Sequence, residues 1–123
     1  MADPRHRLGQ DSEEATAVWL SGAGWRVLAR RRRSSDGGEV DLLAIDPSGA
    51  LVAIEVRARR THRSGSALES VDARRVDRLR RTLAAFARAS SEPRRGLRID
   101  LVTAEPDAGR PDLWRLRRHP GIG

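Results

Sequence analysis

Residues 38–57 read Gly38-Glu39-Val40-Asp41-Leu42-Leu43-Ala44-Ile45-Asp46-Pro47-Ser48-Gly49-Ala50-Leu51-Val52-Ala53-Ile54-Glu55-Val56-Arg57. Two apolar runs, Glu39–Ile45 and Leu51–Arg57, flank Asp46-Pro47-Ser48-Gly49. Pro fixes φ and Gly permits φ > 0, so the four residues form a turn and the two runs form a hairpin. The second run is apolar on both of its faces, as in a central strand covered from both sides. Glu55 sits inside it. An unpaired carboxylate in such a place costs several kcal/mol or takes up a proton, so a cation or an arginine must compensate it.

A five-residue loop over Asp46–Ala50 sets Ile45 opposite Leu51. Counting back, Asp41 then faces Glu55 and Glu39 faces Arg57, with all four side chains on one face. A slip of one residue would put the two carboxylates on opposite faces. Carboxylates this close repel, and a divalent cation is the usual remedy; oxygen donors suit Mg²⁺ or Mn²⁺ rather than Zn²⁺. An ion-pair network is the alternative, with Asp41 on Arg57 and Glu55 on another arginine. Charged residues make up 33% of the chain, so chance pairing is easy. Both readings stay open on the pattern alone.

Outward from the hairpin, the spacing predicts a helix from about Leu8 to Leu20, ended by Ser21-Gly22-Ala23-Gly24. Trp25–Ala29 reads as a strand and Arg30–Gly38 as a polar loop. Beyond the hairpin, Arg59–Gly65 is a basic loop. A long helix runs from Glu69 or Ser70 to about Ala89, with Val76, Leu79, Leu83 and Phe86 at three- and four-residue steps. Leu97–Ala104 and Asp112–Leu116 read as two further strands. This order predicts an α/β domain with a mixed sheet and helices on its faces. The 123 residues fit one domain, with loose ends at about 1–6 and 117–123.

The chain has no cysteine, which excludes disulfides and thiolate metal sites and suits a reducing cytoplasm. No run approaches the length of a membrane span, and Met1–Arg7 lacks the apolar centre of a signal peptide. Twenty-four basic against 17 acidic residues leave a net charge of +7, which favours anionic partners, nucleic acid above all. Every one of the basic residues is arginine. With abundant Ala and Gly, that points to a bias in codon usage, so where the arginines lie says more than how many there are.

The motifs resemble a known family. Gly38-Glu39-Val40-Asp41-Leu42-Leu43-Ala44, followed by Glu55-Val56-Arg57-Ala58-Arg59, is similar to the G-E-[IV]-D-L-[IL]-A … E-V-K-[TA]-R signature of the YraN family of small bacterial proteins. That family is placed in the PD-(D/E)XK, restriction-endonuclease-like nuclease superfamily and is similar to archaeal Holliday-junction resolvases. Leu8-Gly9 with Glu13 resembles its opening L-G-x-x-G-E, with Ser12 where Gly is usual. Gly65-Ser66, Ala73-Arg74-Arg75, Leu79-Arg80-Arg81 and Arg98-Ile99-Asp100-Leu101-Val102 match further blocks in order. A lone acidic triplet is a weak signal; five blocks in sequence are a strong one.

The resemblance implies a restriction-endonuclease-like fold, with a central mixed sheet of about five strands flanked by helices. It implies a metal-dependent endonuclease that hydrolyses phosphodiesters in DNA, with branched or structured DNA as the substrate class. Asp41 and Glu55 would hold Mg²⁺ or Mn²⁺, with the backbone carbonyl of Val56 as third ligand and Glu13 completing the set or holding a water. Arg57 stands where the superfamily has Lys. A guanidinium stays protonated, so Arg57 can donate hydrogen bonds or stabilise negative charge but cannot act as a base. Whether the chain is an enzyme therefore stays open beside a second reading, a nucleic-acid-binding module that uses the same basic surface. The resolvase likeness also implies a homodimer as the expected assembly.

Two basic sets could meet phosphate. One is Arg57, Arg59, Arg60, His62 and Arg63, following the acidic strand, where guanidinium forks match phosphate oxygens. The other is the polar side of the long helix: Arg74, Arg75, Arg78, Arg80, Arg81 and Arg88. Its alternative is a solvated face paired with Asp72 and Asp77. Asp100 is expected to pair with Arg98 or a helix arginine rather than to bind metal. His6, His62 and His119 read as surface, and Trp19, Trp25 and Trp114 as core.

Overall fold

The computed structural model describes residues 4–59, 71–91, 94–110 and 113–123, with the side chains of 4–10 excepted. Its elements are α1 (Pro4–Gly22), β1 (Arg26–Arg33), β2 (Glu39–Ile45), β3 (Leu51–Ala58), α2 (Ala73–Ala89), β4 (Leu97–Pro106) and β5 (Trp114–His119). The strands form a five-stranded sheet in the order β1-β2-β3-β4-β5. Neighbours are antiparallel except β3 and β4, which are parallel and need the α2 crossover between them. This is the α/β mixed sheet that the element order predicts and the restriction-endonuclease-like architecture that the resemblance implies.

The Asp46–Ala50 turn fixes the hairpin register. Asp46 Oδ1 accepts from Ser48 N at 2.9 Å, Ser48 Oγ at 2.6 Å and Ala50 N at 3.0 Å. Gly49 takes φ +97, open to a residue without Cβ. Ile45 therefore pairs with Leu51, and the ladder runs through Ala44–Val52 and Leu43–Ala53 to Leu42–Ile54. That is the expected register.

β3 is buried from Leu51 to Glu55 because each face carries a helix. On one face, Ala17 and Leu20 of α1 join Leu42, Ala44, Val52, Ile54 and Val102. On the other, Leu79, Leu83 and Ala87 of α2 join Val40, Leu43, Leu51, Ala53 and Ile99. Asp72 caps α2 by accepting from Arg75 N at 2.8 Å. The backbone bonds that end α1 form a Schellman motif: Trp25 N donates to Leu20 O at 3.0 Å and Gly24 N to Ser21 O at 3.2 Å, with Gly24 at φ +91.

Three local expectations are corrected. β1 runs four residues further than Trp25–Ala29 suggests, into the arginine run read as loop. It is an edge strand, solvated at its far end, so apolar alternation gives no sign of it there. β5 lies at Trp114–His119, and the tail expected to be loose is bonded: Gly121 N donates to Asp100 Oδ1 at 3.0 Å and Ile122 N to Ile99 O at 2.9 Å. Trp25 is core, but Trp19 is 40% exposed. No helix among the described residues is long and apolar enough to cross a membrane.

Candidate functional site

The β2–β3 ladder stops at Leu42–Ile54, and the acidic residues lie one step beyond it. There Asp41 Oδ2 accepts from the backbone N–H of Val56 at 2.8 Å. Its side chain caps the strand where main-chain pairing ends. Burial, then the charge of Glu55, push the Asp41 carboxyl up to about 6; Glu13 adds to this, while the Val56 hydrogen bond and Arg75 oppose it. The carboxylates of β2 and β3 thus share one site, as the register requires.

Glu55 is almost wholly buried and both its oxygens meet arginine. Arg75 Nη2 lies 2.9 Å from Oε2 and Arg57 Nη2 lies 3.3 Å from Oε1. Arg57 Nε is the one buried side-chain polar atom among the described residues without a hydrogen-bond partner. The ion-pair alternative therefore holds for Glu55, which pairs with another arginine, Arg75, while Arg57 turns to Glu55 rather than to Asp41.

Glu13, on α1, is held by Arg31, whose Nε lies 2.6 Å from Glu13 Oε2. Among the described residues, no three His, Asp or Glu side chains gather as a metal group. The donor chemistry of Asp41 and Glu55 fits a hard divalent cation all the same. Both donors are oxygen, and the charge of Glu55 works against ionisation of Asp41.

Arg31 is the residue that sequence reasoning missed. The pairs Arg30–Leu42 and Arg32–Val40 set it across β1 from Asp41. Its φ of +48 makes it the one non-glycine residue in the left-handed region among those described. Its hydrogen bond to Glu13, helped by the charges of Glu13, Asp41 and Glu39, raises its pKa against the effect of burial. A strained backbone beside charged groups is common at functional sites. Nothing in an Arg30–Arg33 run announces it.

Arg75, expected on phosphate, covers Glu55. Residues 75, 79, 82 and 86 follow helical steps, so a close reading could have placed Arg75 on the inward side of α2. Arg74 and Arg78 are exposed and make no ion pair among the described residues. Arg80 pairs with Asp77 at 3.0 Å, as the solvated-face alternative expects. Arg59 follows β3, its N–H donating to Ala104 O at 2.8 Å. Arg60, His62 and Arg63 lie outside the described residues.

Asp100 is fully buried in a separate cluster. Arg98 grips it with Nε at 2.7 Å and Nη2 at 3.0 Å, and Arg118 Nη1 reaches it at 3.0 Å. Arg98 also binds Asp46 at 2.7 Å. The two guanidinium groups lie 5.8 and 5.3 Å from the centre of the Trp25 ring. This is the structural pairing predicted for Asp100. His119 is half-buried on β5, its pKa lowered by burial and by Arg117.

A five-stranded mixed sheet between helices, with two carboxylates meeting where its central hairpin opens, defines a restriction-endonuclease-like domain. Sequence comparison narrows this. Residues 12–104 match the family described as "Uncharacterised protein family UPF0102". The chain belongs to this family, the YraN family of the motifs above. A UPF0102 protein of Symbiobacterium thermophilum is 42% identical over 101 residues, covering 81% of this chain and 83% of its own. One from Herpetosiphon aurantiacus is 38% identical over 117 residues, 92% of this chain and 93% of its own. One from Mycolicibacterium gilvum is 34% identical over 123 residues, 98% and 97% of the two chains.

Proposed function

We propose that the chain is a metal-dependent endonuclease acting on DNA, with branched or structured DNA as its substrate class. One observation carries the reading. Asp41 and Glu55 share the open end of the hairpin, and the Asp41 carboxyl is pushed up to about 6 by burial and by Glu55. A buried carboxyl whose ionisation is opposed by a neighbouring carboxylate makes a site that a divalent cation relieves.

Asp41 and Glu55 would hold Mg²⁺ or Mn²⁺, which would supply an activated water and stabilise charge on the phosphate. Arg75 would leave Glu55 as the cation arrives and become free to bind phosphate. Arg57 stays protonated and donates hydrogen bonds. Arg59, Arg74 and Arg78 would position the backbone without reading bases. Glu13 would join the site only by leaving Arg31.

A second reading is a binding module without turnover. What favours it is the double arginine grip on Glu55, which already balances that charge. The deciding experiment incubates the protein with labelled four-way junction, flap, single-stranded and duplex DNA, plus Mg²⁺ or Mn²⁺, beside an Asp41→Asn control. Metal-dependent cleavage absent from the control supports the nuclease. Intact DNA in every lane, with binding unchanged in the control, sinks it in favour of the binding module.

A further inference from the structure

α2 packs against β2, β3 and β4, and beside it β1 leaves a cavity of about 490 Å³. Its floor is apolar: Leu28, Leu43 and Leu51 from the sheet, Ala85 and Phe86 from the helix. Its mouth is polar and basic, formed by Arg32, Arg33, Ser34 and Ser35. Arg33 lies 3.7 Å from Glu39, and Arg32 makes no ion pair among the described residues. A cavity of this size holds one flat ring system with room to spare.

The mouth is built rather than slack. Ser34 N donates to Gly38 O at 2.8 Å, and Gly38 N to Asp36 Oδ1 at 3.0 Å. Gly38 in turn lies so close to α2 that a Cβ there would come within 1.9 Å of Thr82 Oγ1. The loop that carries Ser34 and Ser35 is therefore pinned between the sheet and the helix.

The cavity and the acidic site share β2. Its floor residue Leu43 is two positions along β2 from Asp41, roughly 7 Å. Arg33 at its mouth pairs across from Glu39 on the same strand. An apolar slot for a ring, cations at its rim and a phosphate-handling site two residues away match one chemical unit, a nucleotide. A second copy of this chain would bring further arginine to an arginine rim, and an apolar peptide would leave Arg32 without a counter-charge.

We propose that this cavity receives one unstacked base of a nucleic-acid strand whose backbone passes the Asp41–Glu55 site. The inference rests on the nuclease reading for the direction of the strand, and it narrows the substrate to DNA with an unpaired nucleotide beside the phosphate that is cut. A base inside a duplex cannot enter without being unstacked, at a cost of a few kcal/mol. Apolar and aromatic contact with an unstacked base is worth about 1–3 kcal/mol, which is roughly 5- to 150-fold in affinity.

The test uses the whole chain in EDTA, so that no cleavage intervenes. The probes are a single-stranded oligonucleotide carrying 2-aminopurine and the same strand in a duplex. The wild type should bind the single strand at least about tenfold more tightly, with a rise in 2-aminopurine fluorescence as the base leaves its neighbours. Ala89 is exposed at the cavity edge on the last turn of α2. Ala89→Leu should fill the slot, abolish the strand preference and leave duplex binding and the melting temperature unchanged. Arg32→Gln should weaken both forms and reduce the salt dependence of binding. Equal affinity for the two forms, or an Ala89→Leu protein that keeps the preference and the fluorescence change, overturns the proposal. Strand preference without Mg²⁺- or Mn²⁺-dependent cleavage would defeat the nuclease and keep the cavity; cleavage without strand preference would do the reverse.

Discussion

The N–H of Val56 donates to Asp41 Oδ2 at 2.8 Å, one step past the last pair of the β2–β3 ladder. The side chain does there what the next main-chain carbonyl would have done. Asn keeps a carbonyl oxygen for this bond and removes the charge. Because burial and Glu55 push the Asp41 carboxyl up to about 6, its ionisation at neutral pH works against folding. Asp41→Asn should therefore stabilise the metal-free protein at pH 7, by roughly 2 kcal/mol in urea denaturation. It should also abolish Mn²⁺ binding in calorimetry. A variant less stable than the wild type would mean that the charge is compensated in the folded chain.

The same shift sets a pH dependence whose sign is opposite to the usual aspartate. The unfolded chain loses the Asp41 proton near the ordinary value of 3.8, the folded one near 6. Between these values rising pH removes stability from the wild type; above about 6 the penalty is constant. Asp46 behaves conversely. Burial disfavours its charge, but Ser48, Ala50 and Arg98 outweigh burial and hold it well below the ordinary range. Its contribution is complete above that range and is lost as the pH falls below it. Stability measured from pH 3 to 8 should thus rise and then decline in the wild type. In Asp41→Asn the decline between pH 4 and 6 should be missing; a decline that persists there would assign it to another group.

Asp100→Ala should be among the most damaging single changes. It strips the counter-charge from Arg98 and Arg118 and the acceptor from Gly121 N. Breaking a buried pair by removing one partner costs about 3–5 kcal/mol; with both arginines partly solvated, roughly 3 kcal/mol is expected. Guanidinium denaturation measures it, and hydrogen exchange at Ile122 should quicken as the tail detaches. A loss under about 1 kcal/mol would show that the cluster relaxes onto Asp46 instead.

What could be read from the sequence was set by where burial acts. The Asp46–Ala50 turn and the two-faced apolar run of β3 fix a register, and with it the meeting of Asp41 and Glu55. The arginines were harder, because Arg30–Arg33 follows neither strand nor helix periodicity and an edge strand needs neither. Arg31's left-handed backbone has no counterpart in residue type. Arg75 lies in the inward row of α2, but its residue type sets it with its solvated neighbours. Glu13 was expected at the site from resemblance alone, and its grip on Arg31 is a property of how α1 and β1 meet.

Gly38 illustrates a motif residue whose reason appears only in three dimensions. Its Cα faces α2 so closely that a Cβ would stand 1.9 Å from Thr82 Oγ1 and 3.1 Å from Thr82 Cβ. Thr82 is buried and cannot swing away freely. Gly38→Ala should cost about 1–3 kcal/mol, in line with overpacking of a tight interior. Thr82→Ala in the same chain should recover part of that loss. A Gly38→Ala protein as stable as the wild type would mean that β2 and α2 can part at this point.

Arg57 is where stability and chemistry can be separated. Its Nη2 reaches Glu55 at 3.3 Å while its Nε is buried without a partner. Lysine keeps the positive charge, has no Nε to leave unsatisfied, and can shift its pKa to assist an attacking water. Arg57→Lys should therefore leave stability within about 0.5 kcal/mol. It should raise Mn²⁺-dependent cleavage of the preferred DNA on the order of tenfold or more, as a positioned acid–base group does. Mn²⁺ affinity, read by calorimetry, should stay level, so that any gain belongs to turnover and not to loading. A variant that binds Mn²⁺ and DNA as the wild type does yet cuts no faster would clear Arg57 as the limiting group. The remaining constraint would then be the grip of Arg75 on Glu55, which Arg75→Gln would release.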